Sequence, residues 1–477
     1  MANSSFSNDN VLIPGPSFHV DLSGLDARHP VHYSRRLLIF RSDSSEQRNA
    51  QLAALKVGLQ ALVLRCPILG GTIDSLPTDE TSETKKDWRT IVPGHGIELI
   101  VRDLRSAIAS FEELEAAEFP PLKLPYDLLV PIPEDIDAMR PFAAFKMQFS
   151  AIEGGTILTF AMSHSVADGS GTNELLRILS EETRFAQEHS REHSSEDLGK
   201  AEGSAIVTTS IGLDRSILRN ITSDVVFKIE DHPAFKWKSQ LEEPSIEHHI
   251  DSFEAKSPEI PVLLRISPSN LALLKADATL PGAPPISTHD AVSALMWRSV
   301  LLIRSRRSSL SQDVLDSTIG NFYMPSDARR HLDLPLSYIG NAVYQLTAAL
   351  NLRTLFSASG LQHAASAIRG AITSVKPAFV ASYMAMVNEK WVDWAFMRDY
   401  STTGVGMGTD WSSGSLYSDN WGKAFGPMVK YRFPGEAGNY ILPKLPDGGA
   451  EVVVGVMPQE VEFLNSIECF GKYIELP

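Results

Sequence analysis

The stretch that most restricts the fold lies in the first third of the chain. Two β-rich apolar runs, FAAFKMQFSAI and TILTFAMSH, flank Glu153-Gly154-Gly155. Glycine punctuation between two such runs specifies a β-hairpin. In a strand successive side chains alternate faces, so Leu158, Phe160, Met162 and His164 share one face, and His164 ends the apolar row. Asp168 and Gly169 follow in a turn. Beyond Gly171, TNELLRILSEETRFAQEH has helical period and good helix formers.

Strand and helix signals of this kind fill both halves of the chain. VHYSRRLLIF reads as a strand, and NAQLAALKVGLQALVLR as an amphipathic helix that CPILGG stops and turns. WRTIVP and IELIVRDL are further strands. The segment 188–204 is polar, charged and poor in apolar anchors, which marks a linker between a domain of residues 1–200 and one of residues 205–477. After it come a strand at PVLLRIS, helices around NLALLKADA and STHDAVSALMWRSVLLIRS, a strand-rich LSYIGNAVYQLTAAL, a helix around LQHAASAIRGAITSV and a buried strand at AEVVVGVMP. The fold class expected is α/β, with two halves of similar size that each carry a mixed sheet flanked by helices.

Composition narrows the function classes. With a net charge of −15, the average field repels nucleic acid and anionic lipid. An anionic small ligand needs a local basic patch, for which Arg298, Arg304, Arg306 and Arg307 are candidates. The two cysteines, Cys66 and Cys469, form no Cys-x-x-Cys pair, so neither a disulfide framework nor a thiolate zinc site is supported. MANSSFSNDNVLIPGPS lacks a basic segment followed by an apolar one, and the most apolar helix is broken by Lys56 and Arg65. The expectation is a cytoplasmic protein.

His164 and Asp168 admit several chemistries. A metal site needs both on one helix face with further ligands, and the strand-to-turn setting removes that condition. His248-His249 reads as an exposed polar pair, so no metal is expected. One reading is a strand-end histidine with Asp168 capping the next helix. The other makes the neutral imidazole of His164 a general base, since a histidine of pKa ~6.5 suits that work near neutral pH. Neither a Gly-x-Ser-x-Gly elbow nor a phosphate-binding Gly-x-x-x-x-Gly-Lys-Ser/Thr loop occurs. GVGMG (404–408) lacks dinucleotide-binding spacing and reads as a flexible loop. Trp297, at helical spacing from Val292 and Ala294–Leu295, reads as core.

Four segments in order then carry a resemblance: HSVADG, ISTHDAVSALMWR (286–298), DARRHLDLPLSYIGN (327–341) and GTDWSSGSLYSDNWGKAFGP (408–427), with LSGLD (22–26) and LKVGLQALVLRCPILGG ahead of them. So arranged, the chain resembles the BAHD acyl-CoA-dependent acyltransferases, in the fungal branch that includes trichothecene 3-O-acetyltransferase. The resemblance implies two chloramphenicol-acetyltransferase-like domains with a solvent channel at their interface. It also implies direct acyl transfer from acyl-CoA to an alcohol, with His164 as base and no permanent cofactor. Asp168 would pair with Arg329 and, with Gly169, hold the catalytic turn. Thr409 and Trp411 would donate to the oxyanion, although Trp411 equally suits packing a channel wall. Ser287, Thr288 and Arg304 are the candidates for contact with acyl-CoA. The late family motif Asp-Phe-Gly falls on DNWG, where either Asn420 or Asp419 fills the acidic position as structural support. Partners implied are acyl-CoA and a small-molecule alcohol, with a monomeric chain. Two alternatives remain: a non-catalytic ligand-binding relative of the same fold, and N-acyl transfer or condensation-domain-like chemistry, for which Ser163 stands where a second histidine is expected.

Overall fold

A computed structural model describes residues 8–28, 32–75, 88–133, 136–139, 141–189, 212–222, 224–232, 235–237, 259–308, 311–389, 394–396, 404–407, 409–414, 416–434, 437–464, 466–467 and 470–474. Most of the expected linker, from residue 190 onward, lies outside them, as do His248-His249 and Cys469. The chain divides into two compact units. The first comprises 1–220, 333–342 and 415–435; the second comprises 221–332, 343–414 and 436–477.

The first unit is built on a six-stranded mixed sheet. Its order is Asn10–Ile13, Ile97–Asp103, Phe145–Ile152, Gly155–Ser163, Tyr33–Arg41 and Lys430–Arg432. The expected hairpin is its centre, with Ile152 opposite Gly155 and Phe145 opposite Met162. Gly154 sits in the turn at φ 75°, where a side chain is strained. Leu37 and Ile39 on one face join Phe111, Leu114, Phe119, Ile152 and Ile157 in a buried cluster. Phe40 points the other way, against the ring edges of Trp421 and Phe425. The helices Ser45–Arg65 and Gly169–His189 pack together so closely that a Cβ on Gly58 would lie 2.4 Å from the Thr183 hydroxyl. Gly58 is therefore a spacing requirement, which accounts for a glycine inside a long helix that propensity disfavours.

The second unit has a sheet ordered Ile260–Ile266, Ala450–Val456, Tyr440–Ile441, Thr409–Asp410, and another ordered Val343–Asn351, Ile319–Asp327, Gly404–Gly406. The helix Thr288–Arg307 is buried along most of its length, and Trp297 stacks on Phe322 inside it as core. Two segments depart from the sequence reading. LSYIGN is a turn, and the strand begins only at Val343; its apolar Tyr338 and Ile339 are fully buried as packing, without a ladder. Gly404–Gly406, expected in a flexible loop, is a strand paired in parallel with Asn321–Tyr323, with Val405 fully buried. Two glycines in three residues hide a strand from any propensity argument, yet its partner supplies the hydrogen bonds.

Candidate active site

His164 follows immediately on the Gly155–Ser163 strand, and its backbone N–H donates to the His32 carbonyl across the sheet at 2.8 Å. The two imidazoles are neighbours, with ring centroids 6.2 Å apart. His164 is partly buried. Burial is the main reason its pKa falls below the ordinary histidine value, against the opposing charge of Asp168 and the hydrogen bond to Asn341. His32 is pushed down to about 3, chiefly by burial and then by His164 and Arg35. Both rings are neutral at neutral pH.

Asp168 serves backbone rather than the imidazole. Its Oδ1 accepts from Gly171 N–H at 2.9 Å, capping the Gly169–His189 helix, and its Oδ2 accepts from Ala342 N–H at 2.9 Å. The carboxylate thus ties the catalytic-type turn to the Tyr338–Ala342 turn. Gly340 in that turn has no room for a side chain: a Cβ would lie 2.6 Å from an Arg215 nitrogen and 2.8 Å from the Tyr338 ring. The fully buried Arg36 supplies positive charge near Asp168 and donates to the Asn173 side chain and the Gly169 carbonyl.

Beneath this turn runs a chain of polar contacts. His164 Nδ1 lies 3.0 Å from Asn341 Oδ1, and Asn341 Nδ2 donates to Asp26 Oδ1 at 2.8 Å and to the His164 carbonyl at 2.7 Å. Asp26 in turn ion-pairs with Arg215 at 2.6 Å, both side chains being almost wholly buried. Arg215 also donates to the Val166 carbonyl at 2.6 Å, inside the HSVADG turn itself. In the sequence LSGLD and YIGN give Asp26 and Asn341 no evident task, and nothing local singles out Arg215 or His32.

The other candidates occupy the following places. Arg329, in the second unit, is fully buried and meets Asp327 through its backbone N–H at 2.9 Å and its guanidinium at 3.1 Å. Thr409 stands on the Thr409–Asp410 strand, and buried Trp411 stacks on Tyr440 at 6.0 Å with an interplanar angle of 3°. Between them Asp410 contacts His289 Nδ1 at 2.5 Å. Burial lowers the His289 pKa, but the bond to Asp410 and its charge raise it on balance. Burial likewise raises Asp410, and the bond to His289 and its charge lower it on balance, so each partner favours the charged form of the other. Ser293 Oγ lies 3.4 Å from the far nitrogen of His289 but has no exposed surface, so this Ser-His-Asp grouping offers no nucleophile to a substrate. Cys66 is buried and its thiol is pushed up to about 12 by that burial, which keeps it protonated.

Ser287 caps the Thr288–Arg307 helix in a reciprocal capping box with Asp290. Arg304 is buried, donating to the Gly404 carbonyl at 2.7 Å and lying 3.7 Å from Glu259. Arg298 donates to the Leu355, Phe356 and Ser357 carbonyls, and Arg307 pairs with Glu460 at 2.6 Å. Arg306 lies over the Phe463 ring at 3.8 Å, so all four arginines of the basic run have partners within the fold. Asn420 accepts from Gly422 N–H at 3.0 Å in a turn where Gly422 has φ 83°, and Asp419 N–H donates to the Leu416 carbonyl. Among the described residues no three His, Cys, Asp or Glu side chains gather as a metal site, and no helix is long and apolar enough to cross a membrane.

Residues 33–182, which span the hairpin, HSVADG and most of the helix behind it, match the trichothecene 3-O-acetyltransferase-like N-terminal domain. Acyltransferase easC of Emericella nidulans is 28% identical over 98% of both chains. Enoyl-CoA isomerase/hydratase claC of Penicillium crustosum is 28% identical over 96% of this chain, which spans about half (51%) of that protein's length. The crystal structure of F. graminearum TRI101 complexed with coenzyme A and T-2 mycotoxin superposes with a TM-score of 0.78 at 20% identity, covering 96% of this chain and 99% of that one. Over residues 33–182 the chain is thus similar to the trichothecene 3-O-acetyltransferase-like N-terminal domain, over nearly its whole length it is similar to fungal proteins named as acyltransferases, and its fold is that of TRI101.

Proposed function

We propose that the protein transfers an acyl group, most simply acetyl, from acyl-CoA to a hydroxyl of a secondary metabolite of the terpenoid, alkaloid or polyketide class. The observation that carries this reading is His164 itself, a neutral imidazole at a strand end whose Nδ1 is engaged by Asn341. Its Nε2 then takes the hydroxyl proton as the acceptor oxygen attacks the thioester carbonyl. The tetrahedral intermediate collapses with cleavage of the C–S bond, and the imidazolium returns its proton to the departing CoA thiolate. No acyl-enzyme is needed, which suits a protonated Cys66 and an enclosed Ser293. Thr409 and Trp411 are assigned to the oxyanion, a role that elsewhere supplies about 3–4 kcal/mol. Arg329 is assigned as the cation opposite Asp168, and Ser287, Thr288 and Arg304 flank the donor. Support comes from TRI101, crystallised with coenzyme A and a toxin, and from relatives named as acyltransferases, among them eremophilane O-acetyltransferase prx11. The protein is taken to work as a cytoplasmic monomer.

The test is incubation with acetyl-CoA and a panel of hydroxylated terpenoids, alkaloids and polyketides, read by mass gain and thiol release. His164→Ala should lower turnover by roughly 10²- to 10⁴-fold, the usual contribution of a general base. Full activity in that variant would sink the assignment of the base. Binding of panel members with no turnover by the unaltered protein would favour a ligand-binding relative.

A further inference from the structure

The reading of His164 as base leaves open which ring nitrogen carries its proton, and the polar chain beneath the turn answers that. We propose that the buried Asp26–Arg215 pair is a positioning device: it fixes which way the Asn341 amide faces, and so holds His164 as the Nδ1–H tautomer with Nε2 as the proton acceptor. The inference rests on the proposed role of His164 but on none of the substrate assignments.

Donors and acceptors decide which way the Asn341 amide faces. Two groups face the Asn341 side-chain nitrogen, the Asp26 carboxylate at 2.8 Å and the His164 carbonyl at 2.7 Å. Both accept only. Turning the amide over would set its oxygen against two acceptors and forfeit both bonds. The backbone N–H of Asn341 adds a third contact to the same Asp26 oxygen at 2.8 Å, so the residue is held at backbone and side chain alike. Asn341 Oδ1 must therefore face His164 Nδ1, 3.0 Å away, and an amide oxygen only accepts. The proton sits on Nδ1. A neutral imidazole carries a single N–H, so Nε2 bears the lone pair.

Asp26 is suited to anchoring this arrangement because its other oxygen is fully engaged. Oδ2 meets Arg215 at 2.6 Å, the Ser23 hydroxyl at 2.6 Å and the Ser23 N–H at 3.3 Å. The guanidinium balances the carboxylate charge in a site without solvent, where an uncompensated carboxylate is unfavourable. Arg215 reaches past it to the Val166 carbonyl, so the same cation steadies both the amide relay and the turn that follows His164.

Asp26→Asn tests the relay with almost no change of shape. An asparagine at 26 presents its oxygen to the Arg215 cation and its N–H2 to Asn341. Only the His164 carbonyl then still holds the Asn341 nitrogen, so the reversed amide, which offers N–H to His164 Nδ1, gains population and with it the unproductive Nε2–H tautomer. The primary readout is the nitrogen-15 spectrum of protein labelled at histidine, with the His164 signals assigned by their loss in His164→Gln. Unaltered protein should show a protonated Nδ1 and an unprotonated Nε2. Asp26→Asn should populate the other tautomer and lower kcat by roughly 10²- to 10⁴-fold, the upper end being the loss in a wrong-tautomer variant of another histidine base, with KM for acetyl-CoA unchanged. A protonated Nε2 in the unaltered protein overturns the proposal whether or not the variant folds. So does a folded Asp26→Asn that keeps the Nδ1–H tautomer. Because the spectrum needs no turnover, an active His164→Ala would remove the base while leaving the tautomer assignment standing, so the two failures are distinguishable.

Discussion

At the scale of single residues, with His164 as the proposed base, the balance around its ring predicts how activity follows pH. Burial disfavours the imidazolium more than Asp168 favours it, so the pKa falls below 6.5 in the folded protein. The unfolded chain then binds the proton more readily than the fold does, and protonation weakens the fold as pH drops through the ordinary histidine range. The acid limb of kcat/KM is expected below 6.5, read from a pH–rate profile over a range where the protein stays folded. His32, held near 3, adds no charge in that range. A limb at or above 6.5 would mean that the carboxylate outweighs desolvation, and that His164 is partly protonated at working pH. HSVADG makes His164 readable in the sequence as a candidate base because a strand followed by a turn leaves few places for the ring to point. Its support was not readable: Asn341 lies 177 positions from His164, and Asp26 315 positions from Asn341.

At the scale of elements, Asp168 joins the helix behind the turn to the segment in front of it. It caps the helix, as one of the two readings has it, and it also accepts from a second backbone segment, which neither reading contains. Asp168→Ala leaves the N–H groups of Gly171 and Ala342 without that acceptor in a buried setting. Each costs about 1–3 kcal/mol, and the midpoint of thermal unfolding should fall by several degrees or more. Asp168→Asn keeps one acceptor oxygen and should lose less. If Asp168→Ala melts like the unaltered protein while losing turnover, its part is chemical rather than structural. The neighbouring turn shows why such a link escapes sequence reasoning. Tyr338, Ile339 and Ala342 are as buried as residues of a core strand, yet Ile339 N–H donates to the Gly212 carbonyl at 2.8 Å and Asp168 takes the Ala342 N–H. The apolar content reflects burial alone, and backbone partners decide whether buried chain is strand or turn.

At the scale of the whole molecule, each half of the chain does not make one unit, because the first unit draws two segments from the second half. The segment 333–342 brings Asn341. The segment 415–435 brings the Lys430–Arg432 strand, whose Tyr431 stands opposite Leu38. Arg432, fully buried, donates through Nε to the Phe119 carbonyl at 2.6 Å and through a terminal nitrogen to the Glu118 carbonyl. Glu118 and Phe119 both hold positive φ, 61° and 52°, a conformation that non-glycine residues keep only when the surroundings impose it. Gln47 and Gln51 also donate to the Ala424 carbonyl. Residues 1–220 expressed alone therefore lack the edge strand, the anchor for a strained turn and the partner of His164. That fragment is expected to show strand and helix signal without a cooperative thermal transition, read by circular dichroism and by poor dispersion of amide resonances. Co-expression with 221–477 supplies both missing segments and should restore cooperative melting. A fragment 1–220 that melts sharply by itself would show that the six-stranded sheet closes without Lys430–Arg432, and that this strand is a late addition to a core already complete.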